Sequence, residues 1–199
     1  NDSAGPSLSF MYAVMNRVLS KTVSDGKTNQ VTRYVWDERD RLISETDPLG
    51  NVTSFEYDPV ENGTRRVIDQ PIAKIDPNGH RTEYIYDSRD RIIRVVDGNG
   101  GVTQFQYDLR GDRIAVIDPL GKVTSYVYDG NGRVTSRSRP SLAVDTGGTS
   151  RDFTEVSNYY YDAAGKLIRE EKPSARGGLA VTEITYDSFD RVIRKVLKR

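Results

Sequence analysis

The sequence predicts an all-β fold made of tandem antiparallel hairpins, and three observations predict it. One phrase of strand-forming residues recurs with a base period of 21. Each copy sets Thr and two aromatics at i, i+2 and i+4, which is one face of a strand; helical spacing would scatter them. Two turn signatures, Asp-x-x-Gly and Asp-Pro-x-Gly, alternate between the phrases. Self-similarity of this kind governs the fold, so it is read before single elements.

The repeats run in order along the chain. The first, about 10–26, is degenerate: Phe10 and Tyr12 hold the aromatic positions, Asn16-Arg17-Val18 replaces Gly-Arg-aliphatic, and Gly26 falls at the turn. Seven clear repeats cover about 27–199. They open on Thr32-Tyr34-Trp36-Asp37, Thr53-Phe55-Tyr57-Asp58, Thr82-Tyr84-Tyr86-Asp87, Thr103-Phe105-Tyr107-Asp108 and Thr124-Tyr126-Tyr128-Asp129. Two looser copies are Ser157-Tyr159-Tyr161-Asp162 and Thr182-Ile184-Tyr186-Asp187. Successive aspartates lie 21, 29, 21, 21, 33 and 25 residues apart.

Each repeat has a second half. Three residues after the aspartate stands Gly or Asp (Asp40, Asp90, Gly111, Gly132, Gly165, Asp190), usually followed by a basic and an aliphatic residue. The fourth clear repeat departs, with Asp112 and Arg113 in those places. A second turn follows, ending in Gly50, Gly79, Gly100 or Gly121. Asp at the first turn position accepts hydrogen bonds from the turn backbone, and Pro presets φ at the second. Gly at the fourth tolerates positive φ; Asp is among the few residues that also enter that region. Each repeat is therefore strand, turn, strand, turn.

Eight repeats give about sixteen strands and, at about 4.8 Å each, roughly 77 Å of sheet. So long a sheet is expected to curve or spiral, since open sheets much beyond ten strands curl, split or close. The aromatics should lie in rows on one face, with packing between neighbouring strands as their ordinary role. Insertions at 59–72, 141–156 and 174–181 are expected as loops at hairpin ends. No linker divides the chain, so 1–199 reads as a single repeat module.

Composition excludes whole classes of chemistry. Lys+Arg and Asp+Glu are both 29, and a net charge of zero gives no electrostatic ground for nucleic acid or an anionic membrane. With no Cys and one His, thiol nucleophiles, disulfides, Cys-ligated zinc and Ser-His-Asp chemistry lack their residues. A hydrophobic fraction of 36% without a long apolar run excludes a membrane-spanning helix. The chain starts at Asn1 with no leader-like segment and reads as a fragment or processed piece.

The best metal candidates are Asp97 with Asn99 and Asp129 with Asn131, in Asp-Gly-Asn-Gly turns. Neither supplies the Asp-x-Asn-x-Asp-Gly run and twelfth-position Glu of an EF-hand, so turn chemistry is the expected role. The aspartates recur at every turn rather than converging as a pair, so no catalytic residue, cofactor or enzymatic activity is expected. His80 reads as a solvated strand-start residue, and the basic run Arg194, Lys195, Lys198, Arg199 as protection of an edge strand.

The segments Tyr84-Ile85-Tyr86-Asp87-Ser88-Arg89-Asp90-Arg91-Ile92 and Tyr126-Val127-Tyr128-Asp129-Gly130-Asn131-Gly132-Arg133-Val134 resemble the YD repeats of bacterial Rhs proteins, Tc-toxin shell subunits and animal teneurins. The resemblance covers nearly the whole chain and is nearest the bacterial Rhs-like members. It implies a hollow β-shell that encloses a C-terminal toxin or effector, and secretion or surface display. The implied partners are the remainder of the shell and the enclosed toxin. The self-cleavage segment and effector domain that such proteins carry have no counterpart here. An adhesion or carbohydrate-binding module is the alternative, with glycans as partners. A separated piece of such a sheet is expected to self-associate through its edges.

Overall fold

A computed structural model describes residues 5–14, 16–58, 60–61, 64–65, 68–144, 150–174 and 178–198. Pro59, Gly147, Gly148, Thr149, Gly177 and Arg199, which belong to segments singled out above, lie outside the described residues. The structure is all β, with no helix among the described residues.

The chain divides into two halves, Asn1–Val102 and Thr103–Arg199. The first holds β1 (Ser7–Tyr12), β2 (Val18–Ser24), β3 (Asn29–Trp36), β4 (Leu42–Thr46), β5 (Val52–Glu56), β6 (Val60–Glu61), β7 (Thr64–Arg65), β8 (Ala73–Ile75), β9 (Arg81–Tyr86) and β10 (Ile92–Val96). The second holds, apart from its first residue, β11 (Val102–Tyr107), then β12 (Arg113–Ile117), β13 (Val123–Tyr128), β14 (Val134–Val144), β15 (Ser150–Tyr161), β16 (Leu167–Pro173), β17 (Leu179–Tyr186) and β18 (Val192–Lys198). Within each half the strands meander in chain order, except that β6 and β7 pair only with each other and β8 takes its place beside β5. The degenerate first repeat forms the β1–β2 hairpin.

Two insertions differ from the expected loops. Residues 141–156 largely extend a hairpin: Ser141 pairs with Phe153, Leu142 with Asp152, Ala143 with Arg151 and Val144 with Ser150. Val, Phe and Thr recur through this stretch and favour extended backbone. Within 174–181, the Ser174 N–H donates to the Gly178 carbonyl and β17 starts at Leu179.

A β-bulge recurs where the aromatic strands meet their return strands, except between β5 and β8, whose register runs without a shift. Trp36 pairs with Leu42 but Val35 with Ser44, so Ile43 is skipped. The same step skips Leu19, Ile93, Ile114, Thr135, Ile168 and Ile193. A bulge rotates the local ladder and redirects the groups beside it.

Within each half, strands touch their neighbours in the sheet rather than packing face to face. Only Ile68, Ala73 and Ala115 are buried hydrophobics among the described residues. With no thick core available, the order of the sheet rests on turns, ladders and side-chain ties between hairpins.

Candidate functional site

The chemistry-bearing residues form two sets: boxes around the turn aspartates and stitches from aromatic residues to the preceding hairpin. Asp37 shows the box. Its Oδ1 accepts the N–H of Arg39 at 2.9 Å and of Arg41 at 3.0 Å, and its Oδ2 accepts Nε–H of Arg41 at 2.8 Å. Asp87, Asp129 and Asp187 repeat it with Arg91, Arg133 and Arg191. Asp108 accepts three backbone N–H groups, from Arg110, Gly111 and Asp112, and Asp162 accepts the N–H of Lys166.

The second turns use the same acceptor logic. Asp47, Asp76, Asp97 and Asp118 each take the N–H groups two and four residues on. Gly50, Gly79, Gly100 and Gly121 sit at φ 87, 84, 85 and 79°. Asp40, Asp90 and Asp190 hold φ 63, 58 and 66° in the first turns. Gly98 replaces the usual Pro for a steric reason: a Cβ there would stand 2.7 Å from Cβ of His80. His80 is exposed, and its Nδ1 lies 3.0 Å from Oδ2 of Asp76.

These donors hold Asp37, Asp47, Asp76, Asp87, Asp129 and Asp187 below the usual carboxylate range. The Arg91 guanidinium brings Asp87 down to about 2 against its burial. Burial pushes Asp37 up, and the N–H and guanidinium of Arg41 outweigh it, so its pKa is lowered. The Arg133 N–H leads in lowering Asp129. Of the metal candidates, Asp129 spends both carboxylate oxygens on its turn and Arg133, and Asp97 spends Oδ1 on two turn N–H groups. No group of three or more His, Asp or Glu suited to a metal occurs among the described residues.

The stitches tie one hairpin to the next. Hydroxyls of Tyr57, Tyr86, Tyr128, Tyr161 and Tyr186 donate to the carbonyls of Leu42, Pro71, Arg113, Val134 and Leu167 at 2.8–2.9 Å. Trp36 does the same through Nε1, 2.8 Å from the Val18 carbonyl. Except for Pro71, these carbonyls belong to the residue beside a bulge, where the next strand's backbone no longer supplies an N–H. Burial raises the phenols of Tyr57, Tyr86 and Tyr161, and so preserves their O–H donors. Tyr34, Tyr84 and Tyr126, at the first aromatic position, are half-buried on the same face.

Basic residues reinforce the stitches. Arg41 lies 4.5 Å over the Tyr57 ring and Arg133 4.8 Å over Tyr161. Arg17 reaches Asp40 at 2.9 Å, Lys166 pairs with Asp190, and Arg110 donates to the Gly130 carbonyl at 2.8 Å. In the departing fourth clear repeat, Arg110 therefore makes the forward reach, while Arg113 lies 5.7 Å from both the Phe105 and Tyr126 rings.

Asp58 breaks the pattern. It has φ 61°. Its buried carboxylate takes Nη1 of Arg41 at 2.5 Å and Nη2 at 3.0 Å, Nη1 of Arg39 at 3.4 Å and the Ile68 N–H at 3.4 Å. The Arg41 hydrogen bonds bring it down to about 2.

Sequence reading reached the acceptor role of the aspartates and missed the stitches. A readable signal existed. The first aromatic position accepts Phe10, Phe55, Phe105 and even Ile184, whereas the second holds only Tyr or Trp. A ring chosen for packing alone would tolerate Phe; a ring needed as a donor does not.

The teneurin YD-shell family model matches residues 6–199. The chain belongs to the teneurin YD-shell family. No curated protein matches it in sequence. Among solved structures, this YD-shell segment is similar to a mutant Tc holotoxin pore of Photorhabdus luminescens, at 18% identity over 97% of this chain and 12% of that one, TM-score 0.59. It is also similar to TcdB2–TccC3, at 17% identity over 94% and 12% of the two chains, TM-score 0.57. A form of TcdB2–TccC3 without its hypervariable C-terminal region matches at 18% over 94% and 12%, TM-score 0.57. The segment thus spans about an eighth of those chains, and the likeness is one of fold.

Proposed function

We propose that the chain is a non-catalytic wall segment of a secreted, extracellular YD-repeat shell that encloses a C-terminal toxin or effector and helps to deliver it. The observation that carries this is that, within each half, strands contact only their sheet neighbours and bury almost no apolar core among the described residues. Such a sheet suits a barrier that other polypeptide covers, namely the rest of the shell and its contents. The carboxylates support a structural role, because turn N–H groups and arginines occupy them. A variable C-terminal region in a protein of the same fold agrees with a cargo that changes while the wall persists.

The test is protease protection in the complete protein that carries this segment. The C-terminal polypeptide should resist digestion until the shell is unfolded. Digestion at the rate of the free polypeptide would refute encapsulation. A glycan array tests the competing reading of an adhesion or carbohydrate-binding module: a wall selects no sugar, so selective binding of one glycan would favour adhesion.

A further inference from the structure

On the aromatic face of the second half, Arg137 stands between two tyrosine-bearing strands without a partner. Tyr126 of β13, Arg137 of β14 and Ser157 of β15 lie opposite one another in one row, so their side chains leave the same face. One flanking row on that face sets Arg139 against Glu155, and the other sets Tyr159 against Glu170.

The acids beside Arg137 are already engaged. Glu155 takes Nε of Arg139 at 3.1 Å and Nη2 at 2.8 Å, and Glu170 lies 3.7 Å from Nζ of Lys172. Arg137 has no hydrogen bond, ion pair or ring contact among the described residues, although it is half-buried. Its Nε–H is closed off from solvent with no acceptor, and so is Oγ of Ser157, a residue only 1% exposed. The two Nη groups also lack partners but are not closed off.

Polar atoms shut away from water without partners cost free energy. The repeat does not require that cost here. In the preceding hairpin Val116 holds the same place, between Phe105 and Thr124. The wall thus carries a guanidinium where an aliphatic side chain serves, and none of its own described carboxylates answers it.

We propose that Arg137 is a docking point for an acidic side chain, Asp or Glu, of the polypeptide that covers this face of the wall. Nη1 and Nη2 form a planar fork that matches a carboxylate. Ser157, opposite in the row, supplies the acceptor that Nε–H needs once the fork is held at its outer end. Glu155 and Glu170 in the flanking rows repel a free dianion, whereas a carboxylate tethered in the same protein arrives at high effective concentration. The site rests on the reading that further polypeptide covers this wall, and not on that polypeptide being a toxin.

The test uses the complete protein that carries this segment. Arg137→Lys places an amine at the fork, and a carbodiimide joins an amine to a carboxylate in direct contact. Mass spectrometry of the digest should find position 137 linked to an Asp or Glu outside residues 103–199. A link to Glu155 or Glu170 alone would overturn the proposal. So would no link while the C-terminal polypeptide stays protected from protease, a result that leaves encapsulation standing. Loss of the link in millimolar inorganic phosphate would overturn it too, as the mark of a free oxyanion at the site. The unsubstituted protein gives an independent measurement with phenylglyoxal, which adds to the Nη groups of free arginine. Arg137 should react roughly tenfold more slowly in the folded protein than in urea, as for a fork occupied about nine-tenths of the time. Equal rates would show an open fork and sink the assignment.

Discussion

Asp37 and Asp58 follow nearly the same phrase and end in different places. Asp37 is followed by Glu38-Arg39-Asp40-Arg41, which supplies the N–H groups, a left-handed residue and a guanidinium for a local box. Asp58 is followed by Pro59, which has no N–H, and the chain continues into an insertion. Its carboxylate turns to Arg41 of the preceding hairpin instead. The comparison teaches that the repeated aspartate has one chemical need, a full set of donors. Local turn or neighbouring hairpin can meet it, and the source of donors decides whether the residue shapes a loop or ties two hairpins together.

Acid probes both kinds of aspartate at once and should have the largest effect. Asp58 and Asp87 fall from 3.8 to about 2 on folding, and Asp37, Asp47, Asp76, Asp129 and Asp187 are also lowered. A depressed folded pKa contributes stability that is fully present above the unfolded value. That stability is lost as pH falls through the folded value. The thermal midpoint should therefore hold above about pH 5 and drop steeply between pH 4 and 2. A flat midpoint across that window would show that the boxes contribute little.

Asp58→Ala should come next. It leaves Arg41 with Asp37 as its one carboxylate partner and strands the Ile68 N–H, so the melting temperature should fall by about 5–10 °C. Asp129→Ala, which opens only its own half-buried box, should cost clearly less. Equal losses would erase the distinction between tie and turn.

Gly121→Val tests a second turn in the second half. Nothing lies within 4 Å of a Cβ added there, so the cost is backbone strain at φ 79° alone. It should amount to about 1–3 kcal/mol in urea unfolding, whereas Ser88→Val should cost less than about 0.5.

The smallest effect isolates one stitch. Tyr57→Phe removes a hydroxyl that serves the Leu42 carbonyl and should cost about 1 kcal/mol. Tyr34→Phe, at the position where Phe10, Phe55 and Phe105 occur naturally, should be nearly neutral. If the two behave alike, the division between packing and donor positions fails.

Local chemistry was the legible layer. Strand phrases, turn aspartates and the residues at positive φ depend on neighbours within about five positions, and residue types alone fix them. The degenerate first repeat was readable for the same reason, since Asn16 and Gly26 still satisfy the turn backbone at φ 64 and 88°. What could not be read depends on register between hairpins. Asp58 meets Arg41 across 17 residues, and Tyr161 meets Val134 across 27. The extension of β14 to Val144 and of β15 from Ser150 was hidden by the glycines between them in the sequence, which read as a loop.

The recurring stitch between hairpins has an evolutionary consequence. Because each of the six described stitches brings a Tyr or Trp donor to a carbonyl of the preceding hairpin, one 21-residue cassette can follow another without redesign of either face. Unequal crossing-over between such cassettes adds or removes an even number of strands and leaves each junction chemically unchanged. Lineages can therefore change the length of the wall in whole steps.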